Sequence, residues 1–530
     1  MQCSSFLRQR TTYQRAINGL KRTFSKRIFV MVCASFAHTL VFTCAATAAQ
    51  QDTSTTFNIV IAGDMPDISD PVTGRYAELK NLVRSTKKQN TNTFFFYGGG
   101  SIGPSAFSNL DKGSHIIDIL NNIEPDAMGL AKRDFSFLED ELSLRAYEAA
   151  FPFVSSNIQD NRLKSPLDGT SDYALIRKGD ISLGFISIID ERVIYEYLTK
   201  NISVSSPEDT IRATSTKLRE MGADIIVLHY FIVCDFMVSL IDEGIVDIAI
   251  NSHSRLPEGD KALLASEPKI LHLAEPGTAI VANLSFDKSN LSLHDTKVVE
   301  LAQLAPDPFT QNLINGYKFR LDRILDEQIG SWGADYSTAL DNIRDSENAF
   351  ANAIADTMKQ FAGTDIAIVN GGSIRGDKKY NAGGVITRRT IATELPFRST
   401  LRAIEISGID LLETLEYGLS GLDEMLGTYL HVSGMEVDYN SNKPKGERVV
   451  AVRIAGKPLQ ANESYSLATT DYLANGGDGF MTLTKTTRLS QTSLEETILI
   501  SDLVLRNIQQ QTRITNTVEG RLTDLAIGGE

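Results

Sequence analysis

Two glycine-rich turns in the second half of the chain carry the residue types that hold a small, flat, anionic ligand. "NGGSIRGD" puts Asn370, Gly371 and Gly372 at the end of an apolar run, with Arg375 just beyond. Glycines let a ligand approach the backbone closely, and a guanidinium matches phosphate or carboxylate in a bidentate way. "YLANGGDGF" adds Tyr472 and, inside its turn, Asp478. "ELPFRS" presents Phe397 after a proline that holds the preceding residues extended. Two aromatic faces around a flat ring, an acid for ribose hydroxyls and arginines for a phosphate or purine edge make a nucleotide site. Each part alone has a plainer reading: the aromatics as core, the glycine turns as solvated loops.

The first half raises a sharper question at "AMGLAKRDFSF", residues 127–137. An apolar strand runs into Lys132-Arg133-Asp134, which is either a solvated turn or a place where chemistry happens. Four other apolar runs end in comparable fashion: "VIAGDMPDI", "FYGGGSIGPS", "VLHYFI" and "NSHSRL".

These segments need elements to position them. From residue 57 to about 300, short apolar runs alternate with helix-like segments such as "YAELKNLVRSTKK" and "HIIDILNNIE". Apolar runs without polar alternation are strands buried on both faces, hence a layered α/β domain. "DPFTQNLINGYKFRLDRILDEQIGSW" reads as one long amphipathic connecting helix. After it, Phe350, Ile354, Met358 and Phe361 share one helical face. A chain of 530 residues is too long for one core. The predicted organisation is a leader over 1–49, a layered domain over 56–304, a linker helix over 305–335 and a second domain over 336–530.

A formal charge of −14 argues against nucleic acid as a partner. The first fifty residues are basic, then apolar, and close on Ala46-Thr47-Ala48 before a polar segment. That is the pattern of a cleavable signal peptide and predicts export to the periplasm or outside the cell, without a stable membrane span. A signal anchor, or lipid attachment at Cys44, are the alternatives. Three of the four cysteines (Cys3, Cys33, Cys44) lie in the leader, so Cys234 remains alone and no internal disulfide forms.

In order and spacing, "NGGSIRGD", "ELPFRSTL", "LHVSGMEVDY" and "DYLANGGDGF" closely resemble the C-terminal substrate-binding domain of the 5'-nucleotidase and UDP-sugar hydrolase family. The resemblance implies an α/β fold: an N-terminal α/β/β/α metallophosphoesterase-like domain, a connecting helix and a C-terminal α+β domain. It also implies a nucleotide or nucleoside ligand. Phe397 and Tyr472 then match the pair of rings that stack on the base. Arg344, Asn370 and Arg375 match the polar and phosphate contacts, and Asp478 matches the ribose-binding acid.

The family's first domain holds two divalent metal ions on D-x-H, G-D, G-N-H-[DE]-F-D, a strand ending in His, and G-H-x-H. The ions activate water and clamp the phosphate. Here Asp64 and His253 remain, but Pro66 follows Asp64 where His belongs, and Gly100 stands in place of the bridging Asp. Lys132 replaces the ligand Asn, Arg133 the catalytic His, and Ser136 the Asp that would orient it. His229 falls one or two positions before the expected ligand, which lands on Tyr230 or Phe231, and Arg255 replaces the second His of the last motif. Protonated Lys and Arg cannot ligate a metal. The cofactor expectation is therefore no metal, or one weakly bound.

Lys132, Arg133 and Arg255 bring three positive charges to the place where two divalent ions would bring about four. They form either a cationic pocket that holds phosphate, neutralised in part by Asp64 and Asp134, or an internal salt-bridge cluster. Two functions follow. One is an exported nucleotide-binding pseudoenzyme. The other is a nucleotide phosphohydrolase working through altered ligands such as Asp64, Asp67, His229 and His253.

Overall fold

The strand Thr55–Ala62 shows how the first domain is layered. Phe57, Ile59 and Ile61 point into one core, Val60 and Ala62 into another, and all five are fully buried. This is possible because the strand lies inside a sheet covered on both faces. It pairs in parallel with Thr93–Tyr97 and antiparallel with Thr278–Asp287. The computed structural model describes residues 54–231, 236–253, 261, 264, 267–287, 290–489 and 498–526. The signal-peptide reading, the four cysteines and Arg255 lie outside them.

Thr55–Ala62 belongs to a seven-stranded sheet that also contains Ala127–Gly129 and Phe153–Val154. A second, five-stranded sheet runs in the order Ile270–His272, Ile248–Asn251, Ile225–Tyr230, Ile181–Ile188, Ala174–Lys178. Phe57, Phe94, Phe96, Phe185, Ile225 and Val227 fill the space between the sheets. Helices Tyr76–Gln89 and Ser114–Ile123 cover the outer face of the first sheet, and Pro207–Glu220 that of the second. The apolar runs predict a layered α/β domain, and the order of its layers is the α/β/β/α that the family resemblance implies.

The connecting helix is shorter than its periodicity suggests. It spans Pro308–Leu325, with Pro308 at its first position and Asp307 accepting the Thr310 N–H at 3.0 Å. The remainder, Gln328–Trp332, is a strand: it pairs antiparallel with Val385–Thr387 and in parallel with Arg513–Ile514. Tertiary packing overrides the helical pattern there. Trp332 is fully buried with its ring on Tyr380, and a Cβ on Gly330 would stand 2.6 Å from Ile508.

The second domain is built on the sheet Leu430–Ser433, Ile366–Asn370, Ser464–Thr470, Leu401–Ser407, Thr487–Arg488. Helix Ala349–Ala362 buries Phe350, Ile354 and Met358 against one face, with Phe361 packed at the edge. Asn348 caps its N-terminus, and Gly363 ends it in the left-handed conformation. Helix Gly408–Ser420 covers the opposite face.

Candidate functional site

Parallel strands of the first domain end along one rim, where open α/β sheets place their sites. Asp64, Gly98–Gly100, Lys132–Asp134, Phe231 and His253 all lie just past those ends. The charges there are already matched. Arg133 Nη1 donates to Asp64 Oδ1 at 2.9 Å, and Lys132 pairs with Glu196. Asp134 does not face the cations. It is buried and accepts the backbone N–H groups of Gly100, Ser101, Ile102 and Ala131 at 2.8–3.1 Å. Burial nonetheless pushes its carboxyl above the usual range. The pocket expected to be cationic is, over its described residues, a set of internal ion pairs.

The positions that the resemblance matches to metal ligands carry other chemistry. Gly100 has φ of 73°, and a Cβ there would stand 3.3 Å from Asp64 Oδ1 and 3.6 Å from the Phe231 ring. That ring lies 4.5 Å from the ring of His253. A hydrocarbon face therefore lines the place of a bridging carboxylate. Ser136 Oγ donates to the backbone oxygen of Arg133 at 2.6 Å and does not orient its side chain.

His229 is fully internal, bonded through Nδ1 to Ser187 Oγ (2.9 Å) and through Nε2 to Ser252 Oγ (2.8 Å). Gly129 makes room for it: a Cβ there would lie 2.1 Å from Nδ1. Burial lowers His229 to about 4. His253 also drops to about 4, from desolvation and against the raising effect of Asp64. Asp67 accepts from Ser69 N and Oγ, both at 2.7 Å, in a local turn. Among the described residues no three His, Cys, Asp or Glu converge as metal ligands. The described residues do not form a two-metal centre, and among them the set Asp64, Asp67, His229, His253 is not gathered as ligands.

The second-domain turns do converge. Asn370 Nδ2 donates to Asp478 Oδ2 at 2.7 Å, and Tyr472 Oη donates to Asp478 Oδ1 at 2.7 Å. The Arg375 guanidinium lies 5.3 Å from the centre of the Phe397 ring. Arg344 Nη1 donates to Met425 O at 3.1 Å, while its Nε is buried without a partner. Among the described residues neither Arg344 nor Arg375 has an ion pair. Desolvation in the cleft, and then the Arg344 and Arg133 guanidiniums, hold Arg375 below the ordinary arginine range. Glu394, fully buried, ties the two loops together. Its carboxylate accepts from Thr338 Oγ1, Tyr380 Oη and Gly376 N, and its backbone oxygen takes the Arg375 N–H.

The two clusters are neighbours. The short helix Val193–Glu196 of the first domain contacts the turn Gly477–Gly479. Tyr197 is pushed up to about 12 by burial, with Arg133 and Arg375 both near enough to oppose that rise. Asn109 Nδ2 also reaches Pro396 O at 3.3 Å. Sequence reasoning missed Glu196 and Tyr197 as members of the site. "DERVIYEY" has no motif character, and only the fold brings it to the rim.

An α/β/β/α unit with a strand-end crevice, joined to an α+β unit whose turns gather rings, arginines and an acid, is the two-domain nucleotidase architecture. Residues 328–485 match the family described as 5'-nucleotidase, C-terminal domain. Human 5'-nucleotidase is 24% identical over 495 residues, covering 85% of each chain. Snake venom 5'-nucleotidase from Naja atra is 24% identical over 466 residues, covering 77% of this chain and 86% of its own. The crystal structure of a 5'-nucleotidase precursor from Thermus thermophilus shares the fold at a TM-score of 0.66. It is 20% identical, covering 89% of this chain and 99% of its own. Residues 328–485 thus carry the C-terminal domain of the 5'-nucleotidase family, and the chain is similar to 5'-nucleotidases along most of its length.

Proposed function

We propose that this chain is an exported, nucleotide-binding member of its family that does not carry out two-metal hydrolysis of phosphate esters. The supporting observation is the Arg133–Asp64 ion pair at 2.9 Å, a guanidinium bonded to the one carboxylate retained from the first ligand motif. A cation in that place repels a divalent ion and cannot deliver the proton that a neutral imidazole exchanges. The ligand side of the reading draws on Arg344 and Arg375, two guanidiniums without carboxylate partners among the described residues, of which Arg375 lies beside the Phe397 ring. They would hold the nucleotide phosphate through charge-assisted hydrogen bonds. Export draws on the basic and apolar leader. Among the described residues no helix is long and apolar enough to cross a membrane.

The test is metal analysis of the purified protein together with phosphate release from AMP under added manganese, zinc or cobalt. The expected result is substoichiometric metal, no turnover, and a melting temperature raised by AMP, since a ligand bound only by the native state stabilises it. Stoichiometric metal with turnover would establish the altered-ligand hydrolase instead.

A further inference from the structure

Asp478 sits in the left-handed region (φ 51°) between Gly476 (φ 87°) and Gly479 (φ 89°). Aspartate tolerates that region at modest cost, but four hydrogen bonds from three side chains outside the turn hold it there. Tyr472 Oη donates to Asp478 Oδ1 at 2.7 Å and accepts the Asp478 N–H at 3.1 Å. Asn370 Nδ2 donates to Oδ2 at 2.7 Å. Tyr417 Oη donates to the Asp478 backbone oxygen at 2.8 Å. Gly477 lies against one face of the Tyr472 ring: a Cβ there would stand 2.6 Å from Cδ1, Cε1 and Cε2. The opposite face is the one left for stacking.

A carboxylate oxygen offers about two acceptor positions. Tyr472 takes one on Oδ1 and Asn370 takes one on Oδ2, and the Asp478 side chain is otherwise exposed. One position on each oxygen remains, side by side, which matches two adjacent hydroxyls. A phenylalanine at 472 would offer the same ring but neither hydroxyl bond, leaving the carboxylate held by Asn370 alone.

We infer that the Tyr472 hydroxyl is a specificity-determining positioning group: by fixing the Asp478 carboxylate, it makes the second domain select a nucleotide with an intact 2′,3′-diol. This rests on the nucleotide reading above and adds to it the hydroxyl that positions the ribose-binding acid.

The experiment measures the affinity of the full chain for AMP and for 2′,3′-dideoxy-AMP by calorimetry, in wild type, Tyr472→Phe, Asp478→Asn and the double variant. Wild type should prefer AMP. Tyr472→Phe should leave dideoxy-AMP within about twofold and cut the AMP preference roughly five- to tenfold, the scale of one hydrogen bond. The double variant should match Asp478→Asn alone, because the hydroxyl acts through that carboxylate. An unchanged preference in Tyr472→Phe, or equal weakening of both probes, overturns the inference while nucleotide binding stands. Failure of wild type to bind either probe overturns the nucleotide reading and this inference with it.

Discussion

The rim of the first domain and the turns of the second both collect arginines and carboxylates, but they dispose of charge in opposite ways. In the first, Arg133 is matched by Asp64 and Lys132 by Glu196, and Asp134 is consumed by four backbone N–H groups. In the second, Arg344 and Arg375 stand near each other with no ion pair among the described residues. Like charges held together are costly unless an anion joins them. Among the described residues the cations of the first rim pair with carboxylates and the two arginines of the second site do not, although the two regions share a boundary at Val193–Tyr197 and Gly477–Gly479.

The hardest blow to the comparison is Phe397→Ala. At about a hundredfold excess over Kd, a nucleotide should stabilise wild type by about 3 kcal/mol. Thermal melts of the variant should show that shift abolished, and a full shift would mean the second-domain site is elsewhere. Asp134→Ala should unfold more easily in denaturant by about 3 kcal/mol or more, because four buried or partly buried donors lose their acceptor. An unchanged midpoint would show that the closed rim is not held together as described.

Acid should weaken both regions alike. His229 in the first domain and His431 in the second are each lowered to about 4 by burial. The unfolded chain binds a proton on each below about pH 6.5, while the folded chain refuses it until about pH 4. Stability should therefore fall as pH drops through that window, by up to about 3 kcal/mol per histidine. Melts between pH 7 and pH 4 check this, and His229→Gln should reduce the first-domain part while leaving the share of His253. The smallest effect is expected from Lys132→Asn combined with Arg133→His. Phosphate release from AMP should stay at background, because Gly100 and the Phe231 ring still occupy the bridging place. Measurable turnover would show that two substitutions alone silenced the rim.

The second-domain site was readable because its groups lie inside short motifs whose spacing carries them to one place. Asn370 and Arg375 flank one turn, and Tyr472 and Asp478 another. Residue type alone shows that Gly100, Lys132 and Arg133 supply no metal ligand at the positions the resemblance matches to ligands. The fate of the lysine and arginine charges was not readable. Glu196 lies 64 positions from Lys132, and Asp64 lies 69 from Arg133, so no local pattern announces either pair. The connecting helix shows the same limit: its apolar period runs on through Trp332, but pairing with Val385–Thr387 and Arg513–Ile514 turns the last part into a strand.

By itself, the sequence determined the alternation of strands and helices, the apolar face of Ala349–Ala362 with its Asn348 and Gly363 ends, and the chemical identity of every site residue. These are local properties: period, cap and side-chain type. Tertiary structure alone decided which charges meet. It gave Asp134 to the backbone, placed Phe231 beside His253, buried His229 between two serines, and, among the described residues, left Arg344 and Arg375 without an ion pair over the cleft. The reason is that electrostatic and packing energies depend on distance in space, and residues far apart in the chain acquire a distance only when the sheets have assembled.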